Sequence, residues 1–260
     1  MFQCNGVHHS PDASRQRVDF TAMEKLIVTL RGHYDDDWCT GIRGDVANAL
    51  LALNFPGLTI HVRDSVVADS MMTITTLDPP VLAFVSLWTE QHYGDQTRAA
   101  LELLGEHVAR PECMAAYLVT ESTPMPPPTT GPGTRTPGLA NMALLRRPAE
   151  LDESIWLTRW HVDHTPVAIA TQATFGYVQN HVVRPVTKGA APVSAIVEEL
   201  FPIEAISSLH AFFGAADDAD LQRRLTKMVA STAAFGANSN IDAVPTSRYM
   251  FRDPFLRARG

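Results

Sequence analysis

STPMPPPTTGPGTRTPG, residues 122–138, gathers six prolines and three glycines into one stretch. Proline fixes its own φ and has no N–H to donate, so a run this dense supplies neither a helix interior nor a central strand. The stretch reads as an extended Pro-rich linker. What flanks it decides the fold, because the chain runs through one series of elements before it and begins the same series again after it.

Ahead of the linker, EKLIVTLR (24–31) is a β-branched run that predicts a strand. Asp35, Asp36 and Asp37 precede WCTGIRGDVANALLAL, where acidic side chains complement the free N–H groups of a helix start. Phe55-Pro56-Gly57 ends that helix. Leu58–Arg63 and Val81–Trp88 read as strands, Gln96–Val108 as an apolar-striped helix, and Met114–Thr120 as a strand. After the linker, Ala140–Arg146 reads as a strand and Ser154–Thr171 as a helix that bends or restarts at Pro166. Gly176–Arg184 and Val193–Leu200 are strands. Leu221–Phe235 is a helix announced by Asp217, Asp218 and Asp220, and Ile241–Val244 is a short last strand.

Each half is therefore β-α-β-β-α-β, the ferredoxin-like order. Such a sheet carries its helices on one face and needs cover on the other, which a second similar sheet provides. The expectation is an α+β protein with two ferredoxin-like halves whose bare faces meet around a shared interior. Its divisions are a mobile tail at 1–21, a first half at 22–121, the linker at 122–138 and a second half at 139–260.

The chain has 260 residues, 45% of them hydrophobic and 19% charged, with a formal net charge of −7. That balance gives no basic footprint for nucleic acid or an anionic membrane. No apolar run approaches the ~20 residues that span a bilayer. Cys4, Cys39 and Cys113 form no CxxC pair, which fits free thiols. The N-terminal residues lack the basic start and apolar core of a signal peptide, so a cytoplasmic location is expected.

Within the second half, Trp160, His164 and Pro166 lie in the segment WHVDHTP, and GYVQNHVVR (176–184), VEELFP (197–202) and VPTSRY (244–249) follow. Residues 139–250 resemble the EthD family in these motifs and their order. The first half shares the element order but not the motifs. The resemblance implies the dimeric α+β barrel superfamily, here with both halves fused on one chain. It also implies chemistry such as cofactor-independent cyclisation, decarboxylation or dehydration, or oxygenation without metal or flavin.

His164 is the first catalytic candidate, because imidazole titrates near neutrality and lies one turn from Pro166. By strand alternation Phe175, Tyr177, Gln179 and His181 share one face, assigned to the barrel interior, while Val178, Asn180 and Val182 share the other, where the small aliphatics Val178 and Val182 suit packing under helices. Glu198 and Glu199 must face opposite ways, one of them toward the cavity. The expected catalytic set is His164, Tyr177, His181, Glu198 and Glu199, with Trp160, His161, Phe175, Gln179 and Asn180 binding substrate. His164 also has a structural reading as a buried, hydrogen-bonded residue that holds the helix to the sheet, and His181 as one near the rim in water. HVDH is not HExxH, and no phosphate loop or GxSxG is present, so neither a metal nor another cofactor is expected. The leading expectation is a lyase or cyclase acting on an apolar, carbonyl-bearing polyketide or aromatic molecule. A cofactor-free monooxygenase of a phenol and a non-catalytic binding protein are the alternatives, either as a monomer or as a homodimer.

Overall fold

The computed structural model describes residues 23–255. The expected tail at 1–21, with Cys4, lies outside the described residues. Nine strands form one sheet: β1 Glu24–Arg31, β2 Gly57–Val62, β3 Val81–Thr89, β4 Met114–Met125, β5 Thr134–Arg135, β6 Leu139–Leu145, β7 Gly176–Pro185, β8 Ala195–Phe201 and β9 Asp242–Arg252. The order is β2-β3-β1-β4-β7-β8-β6-β9, and β5 extends the β6 edge of β9, pairing with Met250 and Tyr249. A further β2–β9 pairing closes the first eight into an antiparallel barrel. Closure removes the exposed edges that an open sheet would leave.

The first four strands are ordered β2-β3-β1-β4 and the last four β7-β8-β6-β9, the same pattern of connection in each half. The halves join through β4–β7 and β2–β9. The helices are α1 Asp36–Gly41, α2 Ala47–Ala52, α3 Asp95–Gly105, α4 Glu153–Leu157, α5 Thr165–Thr171, α6 Leu209–Phe213 and α7 Asp218–Ala234. Acidic caps start three of them: Asp35 accepts from Trp38 N and Asp217 from Asp220 N, both in runs the sequence marks as helix starts, and Asp152, which it does not mark, accepts from Ser154 N and Ile155 N.

Two helical segments widen to π geometry, Ile42–Val46 between α1 and α2 and Thr158–His164 between α4 and α5. The second meets the expected bend or restart: it ends at His164, and α5 begins at Thr165 with Pro166 in its first turn, where the missing N–H costs little, while Thr165 Oγ1 donates to Trp160 O at 3.1 Å.

The barrel separates three apolar layers. Leu26, Val28 and Leu30 of β1 pack with Ile42, Val46 and Leu50 under the first-half helices. Tyr177, Val197 and Phe201 pack with Trp156, Trp160 and Phe212 under the second-half helices. Ile27, Phe84, Tyr117, Met142, Leu144, Ile196 and Val244 fill one end of the barrel interior.

Strand pairing also enters the Pro-rich segment at both ends. Ser122 and Met125 pair with Gln179 and Tyr177, and Thr134 and Arg135 pair with Met250 and Tyr249. The last strand reaches Arg252, well past the expected Val244, because its inward and outward residues are both buried and show little alternation.

Candidate functional site

The end of the barrel opposite the apolar plug is open. A cavity of about 220 Å³ lies there, and every barrel strand except β6 lines it. Lys25, Thr59, Trp88, Glu121, Glu198 and Arg248 supply its polar walls. Pro126–Thr129 of the Pro-rich segment and Asp253–Phe255 cover it, so the predicted linker forms part of the enclosure.

Two ion pairs organise the walls. Lys25 Nζ donates to Glu121 Oε1 at 2.8 Å and lies 4.5 Å from the Trp88 ring centroid, while Trp88 Nε1 donates to Glu121 Oε2 at 3.1 Å. Arg248 Nε donates to Glu198 Oε1 at 2.7 Å and its Nη1 to Thr136 Oγ1 at 3.2 Å. Arg248 Nη2 and Glu198 Oε2 have no hydrogen-bond partner among the described residues. Two other buried carboxylates, Asp64 and Asp242, are saturated by comparison. Asp64 accepts from Arg43, Ser247 and Tyr249, and Asp242 accepts from Thr76 and Arg146.

His61 lies one layer below, with no solvent exposure. Its Nε2 stands 3.4 Å from Glu198 Oε1, within electrostatic reach, yet neither ring nitrogen has a hydrogen-bond partner among the described residues. Thr59 Oγ1, two residues away on the same face of β2, is likewise unpartnered. Unmet buried polar atoms cost about 1–3 kcal/mol each, so their clustering at the cavity floor marks a place suited to a polar ligand or water. Burial pushes the His61 imidazole down and keeps it neutral, against the pull of Glu198. Burial alone would raise the Glu198 carboxyl, but the charges around it, His61 and Arg248 first, hold it well below the usual carboxylate range. Because His61 is neutral, the Arg248 guanidinium is the lasting cause.

The sequence-predicted residues divide between two places. Glu198 lines the cavity. Glu199 faces the second-half helix layer, where it opposes Tyr177 on β7 and Asn141 on β6. The assignment of the β7 faces is corrected: Val178 lines the cavity and Val182 packs on the interior plug, whereas Tyr177 belongs to the helix-side core. Asn180 therefore points inward, its Nδ2 donating to Ile196 O at 3.0 Å. Gln179 is held on the helix side by Thr165 Oγ1 at 2.8 Å and Ser122 Oγ at 3.1 Å. His181 lies 3.4 Å from Glu153 Oε1, near the surface. The polar set sits under the helices because α4 and α5 bring hydroxyls and indoles to meet it, while small aliphatics suit the narrow interior.

His164 does not reach the cavity. Its Nδ1 meets Ser231 Oγ of α7 at 2.9 Å, its ring lies 4.8 Å from Phe235, and burial pushes its pKa down to about 4. Trp160 is fully buried beside it, His161 packs on Trp160 with ring centroids 4.2 Å apart, and Phe175 is partly exposed against Gly138. His61, Lys25 and Trp88 carry no signal in the sequence, and Arg248 reads there only as a strand-end arginine able to bind a substrate carboxylate or face water. Only closure of the first half onto the second brings them to Glu198, and no local motif marks that. Among the described residues no three His, Cys, Asp or Glu side chains come together as metal ligands, and no helix is long and apolar enough to cross a membrane.

No family model matches the chain, and no curated protein matches it, so the EthD likeness of residues 139–250 stays a resemblance. Solved structures do match. An anthrone oxidase-like protein superposes with a TM-score of 0.53 at 10% identity, covering 90% of this chain and 96% of that one. A monooxygenase-like protein of Fusobacterium nucleatum subsp. nucleatum gives a TM-score of 0.50 at 5% identity, covering 92% and 98%. At these identities the likeness speaks for the fold alone: the chain is an α+β protein with an eight-stranded antiparallel barrel, similar to the dimeric α+β barrel proteins.

Proposed function

We propose that the chain is a small-molecule enzyme made of two ferredoxin-like halves, residues 22–121 and 139–260, that removes an acidic proton from an apolar carbonyl-bearing ligand at the barrel mouth. The observation that carries this is Glu198, pinned through Oε1 by Arg248 and unpartnered at Oε2 beside a cavity. Glu198 Oε2 takes the proton, and Arg248 Nη2 and Lys25 Nζ hold the developing oxyanion, where preorganised donors act most strongly. A carboxylate held this low is a weak base, so the proton transfers only as Arg248 and Lys25 stabilise the phenolate or enolate oxygen that forms. Lyase or cyclase turnover follows if the enolate expels a leaving group or attacks within the molecule. The names of the two structural neighbours favour a second outcome, in which an electron-rich phenolate reacts with oxygen.

In this reading His164, Tyr177, His181 and Glu199 support the second half from its helix layer and do not touch the ligand. The protein acts in the cytoplasm as a monomer or homodimer, on a small molecule and not on nucleic acid. Incubation with a metabolite extract, followed by mass spectrometry, tests the proposal. Glu198→Gln should lower turnover per folded molecule, with the folded fraction read by circular dichroism, by about 10²–10⁴-fold. Turnover that survives the substitution defeats the assignment, and oxygen consumption during turnover separates the monooxygenase outcome from the lyase one.

A further inference from the structure

We infer that the ligand of the barrel-mouth cavity is an uncharged, single-ring compound bearing a hydroxyl or enolisable carbonyl, not a polycyclic compound and not one that arrives ionised. The inference rests on the proposed proton abstraction and narrows its substrate.

Size gives the first argument. A cavity of ~150 Å³ holds one benzene. The 220 Å³ here seats one ring with a few further heavy atoms, while three fused rings would have to protrude past Pro126–Pro128 and Phe255. The expectation of a polyketide-sized substrate becomes correspondingly narrower. The walls are made for a flat apolar body, with the Trp88 indole, the Pro126–Pro128 run and Phe255 around it.

Charge gives the second. Each cation in the wall is already matched, Lys25 by Glu121 and Arg248 by Glu198, and Asp253 at the rim adds a third carboxylate. A ligand that enters as an anion meets this excess, and desolvating it there is costly. A cationic ligand finds the Trp88 face occupied by Lys25. An uncharged ligand with one donor and one acceptor fits what is left: Glu198 Oε2 to accept, and Arg248 Nη2 and Thr59 Oγ1 to donate. The proton then passes from the ligand O–H or α C–H to Glu198 Oε2. Its bonding pair stays on the ligand as an oxyanion or enolate facing Arg248, and no net charge enters the cavity.

Isothermal titration of the full chain at about pH 6, where phenols are uncharged, tests this with 4-hydroxyacetophenone, benzoate, benzylamine and anthrone. The first should bind at least about tenfold more tightly than the other three, and Glu198→Gln and Thr59→Val should each weaken it. Should Glu198→Gln fail to fold, Thr59→Val still locates the site. Equal or tighter binding of benzoate, benzylamine or anthrone overturns the inference. So does no binding of 4-hydroxyacetophenone, or binding indifferent to Thr59→Val. Single-ring neutral ligands that bind but are never converted leave the inference standing and remove the catalytic reading. Conversion of a polycyclic compound does the reverse.

Discussion

Glu198 and Glu199 are neighbours on β8 with side chains on opposite faces, and their surroundings drive the two carboxyls in opposite directions. Glu198 faces Arg248 across the barrel mouth and is held ionised. Glu199 faces the helix layer with no cation beside it, and burial pushes it from 4.5 up to about 7, against a smaller pull from Asn141. A carboxyl raised in the folded state carries no penalty below its unfolded value, because both states are then protonated. Between pH 4.5 and 7 the unfolded chain releases the proton first, so stability falls, and above 7 the loss is complete. At about 1.4 kcal/mol per pKa unit the loss is at most about 3–4 kcal/mol. Glu199→Gln should therefore stabilise the protein by up to that amount at pH 8 and change little at pH 4. Urea unfolding at the two pH values measures it, and a variant less stable at pH 8 would rule the account out.

The Arg248–Glu198 pair lends itself to a double-mutant cycle. Both side chains are buried, with 8% and 7% of their side-chain surface exposed. Removing one partner leaves an uncompensated buried charge, at a cost of about 3–5 kcal/mol, whereas removing both is often nearly neutral. Arg248→Met and Glu198→Leu should each destabilise strongly, and the double variant should cost less than either one. Additive losses in denaturant titrations would mean that the two charges do not stabilise each other.

Much of the fold is legible in the sequence because β-branched runs, acidic helix starts and Phe55-Pro56-Gly57 each act locally. Most of β1, β3, β6 and β7 falls where the pattern puts it. The short α6 is missed, since Leu209–Phe213 is too brief to show a period. The site is far less legible. Alternation along β7 correctly separates Tyr177 from Val178, but polarity does not tell which set faces the interior when both faces are buried. The cavity's own residues are hidden for a different reason. Thr59, Lys25 and Arg248 are ordinary polar residues in separate strands, and the β2–β9 and β1–β4 pairings alone bring them together.

His164 should behave as a stabilising core histidine. Burial lowers its pKa from 6.5 to about 4, so its neutral form belongs to the folded state. That contribution is complete above pH 6.5. It is lost as pH falls toward 4, because the unfolded chain takes up the proton first. His164→Gln should cost about 1–2 kcal/mol at pH 8 through the Ser231 contact. Between pH 6.5 and 4 the variant should lose less stability than the parent, narrowing the gap. Ligand affinity of the barrel cavity should stay unchanged, and a large loss of affinity would place His164 functionally in a site it does not touch.

Gly57 is the position where one methyl group should reach the cavity wall from outside it. It pairs with Trp88 across β2 and β3. A Cβ added there would stand 2.7 Å from Pro254 Cβ and 2.8 Å from Trp88 Cε3, closer than packed carbons come, so one of them must move. Trp88 also holds Glu121 through its Nε1 and lies beneath Lys25, so shifting the ring disturbs that ion pair as well. Gly57→Ala should destabilise by about 1–3 kcal/mol. It should also alter tryptophan emission and weaken cavity binding by about tenfold. Gly41→Ala serves as the control, since a Cβ there meets nothing within 4 Å and the helix gains from alanine. Equal stability and emission in the two variants would mean that Trp88 is not pinned between Gly57 and the Lys25–Glu121 pair.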